Sequence, residues 1–295
     1  MREDKPSTTA AIVALGRALY ADAPEGFGPT GDEHTEALLS PAMRALVRMA
    51  RPLWSLAPKL ARGAFRVATF GMSEHVALRT RCIDDAVAQA VADGCTQLVT
   101  LGAGLDTRPW RMSELSSVSA WEVDHPATQK YKRARAEQRT PRCKELRFVS
   151  VDFTKDSLSH RLEEAGHQAS QKTAWVLEGV SVYLSRAALE ETLDAVRSRS
   201  AAGSVLAFTY VPRAVVTRWS QGQQSIDAVT RAIGERFEGL LERDEAHALL
   251  EGRGFEVASD EGTAQMAARL MPDVDPSGVW ERERVAISRA TDRAR

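Results

Sequence analysis

Leu101-Gly102-Ala103-Gly104-Leu105-Asp106 is the stretch on which the reading of this chain turns. It continues a β-like run, Gln97-Leu98-Val99-Thr100-Leu101, and Gly102 and Gly104 stand directly after that run. Glycine there lets the backbone turn sharply and approach a ligand with no side chain in the way. In open α/β sheets, ligands bind in the crevice at the carboxyl ends of parallel strands, which is where this turn falls. A dinucleotide fingerprint needs a third small residue three positions after Gly104. Thr107 stands there instead, followed by Arg108 and Pro109. The following helix then packs less tightly, which suits a ligand with an adenosine and no phosphate. Taken alone, Gly-x-Gly fits a plain tight turn as well as a nucleoside site.

The flanking sequence supplies the sheet. Further β-like runs are Ser119–Val123, Leu146–Val151, Thr173–Leu177 and Ser204–Tyr210. Helical stretches such as Ile83–Ala92 and Leu189–Arg199 lie among them. Short strands alternating with helices predict a parallel sheet covered on both faces. A helix over Glu245–Glu251, ended by Gly252 and Gly254, precedes Phe255-Glu256-Val257. Arg284–Ser288 is the last predicted strand, so two late strands close the sheet as a hairpin. Residues 1–75 read as helical. Ser7-Thr8-Thr9 caps a helix through Ile12, Val13, Leu15, Leu19 and Tyr20, and a break runs from Pro24 to Gly31. Helices interrupted by Pro52 and Pro58 follow. The expected organisation is an N-terminal helical lid, 1–75, and an α/β domain, 76–295, with a polar helical insert at 211–243.

Two acids at strand ends sharpen the ligand reading. Asp124 ends the second strand about twenty residues after the turn, where a carboxylate accepts both ribose hydroxyl hydrogens. Asp152 follows the third strand, and its neighbour Phe153 is placed to flank an adenine ring. For Asp152 an equal alternative is a cap before a helix over Lys155–Glu164.

Composition narrows the class. The 295 residues are 43% apolar and 27% charged, with a formal net charge of -1. This is an ordinary globular profile with no global mark of a nucleic-acid binder. No apolar stretch is long enough to span a bilayer. The run Ala10–Leu15 meets Arg17 at once and reads as no signal peptide, so a cytoplasmic location is expected. Cys82, Cys95 and Cys143 form no metal or redox pattern and are expected to be reduced, mostly buried thiols; no metal is expected. Oligomeric state is unreadable.

Several motifs in order carry a resemblance. They are Leu101–Arg108, Trp121-Glu122-Val123-Asp124-His125-Pro126, Val151-Asp152-Phe153 and Glu178-Gly179-Val180-Ser181-Val182-Tyr183-Leu184. With Ala77-Leu78-Arg79-Thr80-Arg81 and Ser7-Thr8-Thr9-Ala10, they resemble the leucine carboxyl methyltransferase family. The chain looks most similar to the bacterial branch that includes polyketide-type O-methyltransferases. The resemblance covers most of residues 5 to 210. It implies a class I methyltransferase (Rossmann-like) sheet, strand order 3-2-1-4-5-7-6, binding S-adenosylmethionine. It implies that Arg79 pairs with the cofactor's carboxylate, that Gly102, with Gly104 and Asp106 in the same turn, lies beside its methionine part, and that Asp124 meets the ribose. Asp152 and Phe153 would meet the adenine, and Glu178 would lie near the amino group and the transferred methyl. Some members carry a lysine near the N-terminus for the carboxylate, where this chain has Ser7 and Thr8.

The expected reaction is methylation of an oxygen, carboxylate or hydroxyl, on a small-molecule or polyketide-like acceptor. A carboxylate is already ionised at neutral pH and needs no base. A hydroxyl acceptor would be helped by one. His75, four residues before Arg79, and His125, at a strand end before Pro126, are the histidine candidates for a base. Tyr183 and His75 are the substrate-side candidates, with core packing the alternative for Tyr183 and a surface pair with Asp84 or Glu74 the alternative for Arg79. Trp219 and Phe237 either anchor the insert or line a pocket. From Ser40 to Ser73 there is no Asp or Glu, while Arg44, Arg48, Arg51, Lys59, Arg62 and Arg66 occur. That basic stretch is either a solvated face or a surface for an anionic partner. Competing functions are a dinucleotide-dependent oxidoreductase, against which Thr107 argues, and a silent S-adenosylmethionine-binding protein.

Overall fold

Alternation of apolar and small residues along each predicted strand sets the register of one seven-stranded sheet. The computed structural model describes residues 7–24, 32–152, 156–216, 237–272 and 279–292. The strands are β1 (Gln97–Leu101), β2 (Ser119–Asp124), β3 (Glu145–Ser150), β4 (Thr173–Leu177), β5 (Val205–Tyr210), β6 (Phe255–Glu261) and β7 (Arg284–Ala290). Their order is β3-β2-β1-β4-β5-β7-β6. The first five are parallel, and β7 runs antiparallel to both β5 and β6. This is the class I methyltransferase order expected above.

The period of two divides the core. Val99, Leu101, Trp121, Val123, Trp175, Leu177, Leu206 and Phe208 pack on one face. Leu98, Ala120, Ala174, Val176, Val205 and Ala207 pack on the other. The second face is covered by α6 (Met72–Ala92), whose Leu78, Ile83 and Val87 enter that core. The three cysteines are free and buried.

The N-terminal helices are α1 (Thr8–Tyr20), α2 (Glu33–Leu38), α3 (Pro41–Ala50), α4 (Pro52–Leu56) and α5 (Pro58–Ala68). Ser7 caps α1 by accepting from the Ala10 N–H at 3.1 Å. Proline opens α3, α4 and α5, where the missing N–H costs no helical bond. Their core is built around Tyr20, Trp54 and Phe65, and the Trp54 indole N–H donates to Leu19 O at 2.7 Å.

The remaining helices are α7 (Arg108–Arg111), α8 (Pro126–Ala136), α9 (Leu158–Glu164), α10 (Arg186–Ser198), α11 (Arg243–Glu251) and α12 (Thr263–Leu270). Several boundaries differ from the sequence reading. The helix expected over Ile83–Ala92 starts at Met72, directly after Gly71 at φ +74°. The boundary drawn between residues 75 and 76 therefore falls within its first turn. The helix expected over Lys155–Glu164 begins at Leu158, because Ser157 rather than Asp152 supplies the cap. Helix α11 starts two residues early, held by Glu245 accepting from the Glu242 N–H. Of the expected insert, 217–236 lie outside the described residues. Residues 237–242 are not helical. There the Glu238 and Gly239 N–H groups donate to Val182 O and the Leu241 N–H to Val211 O, which stitches the segment to the sheet end.

Candidate active site

Register places the candidate residues in one row. Leu101 is paired with Val123 on one side and Leu177 on the other. The next residues are Gly102, Asp124 and Glu178, side by side at neighbouring strand ends about 5 Å apart. Asp124 is opposite Ser150, so Asp152 lies two residues beyond the row on β3.

The glycine turn has a physical requirement. Gly102 sits at φ +65° and Gly104 at φ +48°, both left-handed. A Cβ on Gly102 would lie 2.3 Å from Val180 Cγ2, and one on Gly104 would lie 3.1 Å from the Ala10 Cβ of α1. The turn is thus roofed by the β4 loop and by α1. Asp124 accepts from the Gly104 N–H and, at 2.6 Å, from the His125 N–H. Burial raises the Asp124 carboxyl despite these bonds.

Arg79 lies on α6, 2% exposed. Its Nε donates to Glu178 Oε1 at 2.9 Å and its Nη1 to Glu283 Oε2 at 2.7 Å. The surface pair with Asp84 or Glu74 is absent: Asp84 accepts from Arg108 and Arg111, and Glu74 from Arg62. The other Glu178 oxygen accepts from Arg108 Nη1 at 3.0 Å. Arg108, fully buried, also donates to Asp84 at 2.7 Å and to both Asp106 oxygens. Arg111 continues the chain to Asp32, which also faces Arg17. Burial would raise the Glu178 and Asp106 carboxyls, yet the guanidinium charges, Arg108 foremost, hold both below the ordinary range. Arg17, Arg79, Arg108 and Arg111 face Asp32, Asp84, Asp106, Glu178 and Glu283 in this network, four positive groups against five negative.

Gly179, at φ +67°, lies against Arg79: a Cβ there would be 3.7 Å from Nη1 and 3.8 Å from Nη2. Glu178 and Glu283 occupy Nε and Nη1, and both terminal nitrogens border the space a Cβ would fill. That cradle, the glycine turn and the Asp124 carboxylate fit a ligand with a carboxylate at one end and a ribose at the other.

His75 is fully buried. Burial, then Arg79 and Arg282, push its imidazole well below the ordinary pKa, so it is neutral. Thr263 Oγ1 accepts the Arg282 N–H at 3.1 Å and shares a hydrogen bond with His75 Nδ1 at 3.0 Å. Its Nε2 lies 4.0 Å from Glu283 Oε2. His125 is the N-cap of α8, its Nδ1 accepting from the Ala127 N–H at 3.3 Å. Tyr183 packs with Val182, Val211, Val215, Val216 and Phe237, its ring 5.7 Å from that of Phe237. Phe237 thereby anchors the segment, while Trp219 and Phe153 lie outside the described residues. Asp152 N–H donates to Asp156 at 2.8 Å. Among the described residues no cluster is arranged to hold a metal ion.

The sequence reading missed Glu283, Asp32 and Arg17, and Arg108 as the hub. Glu283 is 204 residues from Arg79 in the chain. Only its place immediately before the last strand hinted that it returns to the site.

Sheet order, glycine turn and acid row define an S-adenosylmethionine-dependent methyltransferase of class I fold. The leucine carboxyl methyltransferase profile matches residues 10–197, and the chain belongs to that family. It is 31% identical over 229 residues to a Streptomyces coelicolor protein provisionally named an S-adenosyl-L-methionine-dependent methyltransferase, covering 77% of this chain and 78% of that one. A similarly named Streptomyces avermitilis protein is 30% identical over 87% and 89% of the two chains. The fold is shared with a crystal structure from Thermobifida fusca, provisionally named a methyltransferase (TM-score 0.59, 20% identity, 97% and 96% coverage). It is also shared with a DUF574-family protein of Streptomyces avermitilis (TM-score 0.60, 13% identity, 97% and 98% coverage). No helix among the described residues is long and apolar enough to cross a membrane.

Proposed function

We propose that this enzyme methylates a carboxylate oxygen of a small organic acid. S-adenosylmethionine, when bound, supplies a sulfonium-activated methyl: an acceptor lone pair forms the O–C bond as the C–S electrons return to sulfur. Residues of this chain hold and align. Arg79 Nη2 takes the cofactor carboxylate, the Gly102–Gly104 turn lies along the methionine part, and Asp124 accepts the ribose hydroxyls. Asp152 and Phe153 flank the adenine, and Glu178 faces the amino group. Asp106 acts through Arg108, which it fixes beside Glu178. The surplus negative charge of the ion network suits a ligand whose sulfonium and ammonium outnumber its carboxylate. Residues 1–75 act as a lid over the domain 76–295, and the proposed setting is the cytoplasm. Alignment and exclusion of water can lower such a barrier by about 7–11 kcal/mol.

One observation carries the choice of a carboxylate. Both Glu178 oxygens are bound by guanidinium groups, and His75 is fully buried with its Nδ1 bonded to Thr263. Neither is poised to take a proton from a hydroxyl. The test offers matched pairs of carboxylic acids and alcohols and follows S-adenosylhomocysteine release across neutral pH. The acids should turn over with a pH-independent kcat. Turnover of the alcohols, with kcat rising through a pKa near 7, would refute the reading.

A further inference from the structure

The helices before the site carry a second face that the fold does not use. Among the described residues the large exposed hydrophobics are Ile12, Leu46, Met49, Leu53, Leu56, Leu60, Val67, Phe70 and Trp280. Seven of these nine fall between residues 46 and 70, on α3 to α5 and the turn after them. Met49 is 72% exposed, Leu56 79% and Leu60 76%. Scattered apolar residues need no explanation, but a contiguous set does.

The set is organised. Arg51 is right-handed helical, so α3 and α4 run on with little break. At about 100° per residue, Ala42, Ala45, Leu46, Met49, Leu53 and Leu56 share a sector of about 100°. The buried Val47 and Trp54 lie on another side, and Arg44, Arg48 and Arg51 on a third. Helix α5 repeats the scheme: Leu60 and Val67 are exposed, Ala61 and Phe65 are buried, and Lys59, Arg62 and Arg66 flank them. The core therefore already has its own apolar stripe, and the exposed one is additional. Phe70 extends it to Trp280, with ring centroids 6.2 Å apart.

Charge decides between occupants. Every ionisable residue from Ser40 to Ser73 is basic. Glu36 and Asp22 pair Arg48 and Arg51, and Glu74 pairs Arg62, but Arg44 and Lys59 have no carboxylate partner among the described residues. In a two-fold pair of chains this face would meet itself, base against base. An anionic bilayer offers the complement: phosphates at the depth of the bases and hydrocarbon beneath them. We propose that the α3–α5 face docks the enzyme on an anionic lipid surface.

The test is sedimentation with vesicles of phosphatidylglycerol and phosphatidylcholine mixed about one to two, against pure phosphatidylcholine vesicles. Binding to the mixed vesicles should be at least about tenfold stronger, and should weaken as salt rises. Leu56→Ser with Leu60→Ser should lower it about tenfold or more, because both side chains would leave hydrocarbon. Arg44→Gln with Lys59→Gln should lower it several-fold on mixed vesicles only. All four positions are outside the core, so melting temperatures should hold; if one pair unfolds, the other still decides. Failure to bind mixed vesicles, or binding that the folded variants leave unchanged, overturns the proposal. A reversible dimer in sedimentation that Leu56→Ser with Leu60→Ser abolishes also overturns it, in favour of self-association.

Discussion

Glu283 Oε2 lies 2.7 Å from Arg79 Nη1, joining the approach to the last strand to a helix 204 residues earlier. With Glu178 on Nε, the guanidinium is clamped from two sides, its terminal nitrogens beside Gly179. Glu283→Gln keeps the shape and removes one clamping charge. S-adenosylhomocysteine affinity should fall about tenfold, in line with about 1.5 kcal/mol for a hydrogen bond to a charged group. Titration calorimetry reads it; an unchanged Kd would mean that Glu178 alone sets the Arg79 pose.

Gly102→Ala meets two obstacles of different origin. The left-handed conformation costs a non-glycine residue about 1–2 kcal/mol, and overpacking against Val180 costs about 1–3 kcal/mol more. Adding Val180→Ala should restore only the packing share. Thermal unfolding of both variants checks this, and full recovery in the double variant would show that φ carries no penalty.

Asp124→Ala removes the carboxylate that holds Gly104 N–H and that, in the proposed function, accepts the ribose hydroxyls. Cofactor affinity should drop by about 1.5–3 kcal/mol. Calorimetry with S-adenosylhomocysteine is again the measurement, and unaltered affinity removes Asp124 from the site.

A fourth prediction concerns pH and lies away from the crevice. His167 is 3% exposed, accepts from Arg199 Nε at 3.2 Å on Nδ1, and meets Thr173 Oγ1 with Nε2. Burial, aided by Arg199, lowers its pKa from 6.5 to about 3. Between pH 6.5 and 3 the unfolded chain therefore binds a proton that the folded chain refuses. Stability from this residue is complete above pH 6.5 and is lost as pH falls through that window, at up to about 1.4 kcal/mol per pH unit. His167→Gln should flatten the fall in denaturant midpoint over the same range. A parallel fall in both proteins would exonerate the histidine.

Legibility in the sequence followed interaction range. The strands, the glycine turn and Asp124 were readable because they depend on local patterns, a glycine pair after an apolar run and an acid closing the next one, while strand order and Glu178 followed from the family resemblance. The start of α6 was not readable, because its register is set by packing on α1 and on β4 and β5. The charge network was also hidden. Asp84, Arg108 and Arg111 meet across 24 and 27 residues, and Arg79 meets Glu178 across 99, so which cation faces which carboxylate is a property of the fold alone. His75 shows the same limit: spacing put it on the face of Arg79, but burial decided its protonation.

Helix α6 was described as a cover for the sheet, and it is also a shaft. Its first turn is gripped by the outer helices through Glu74 and Arg62, and Gly16 of α1 sits against Ser73. Two turns on, it carries Arg79 into the crevice. Twenty-one residues make a rigid rod about 30 Å long. The guanidinium in the crevice and the seat of the basic outer helices are therefore carried on one continuous helix, so a substitution that shifts its axis displaces both ends at once.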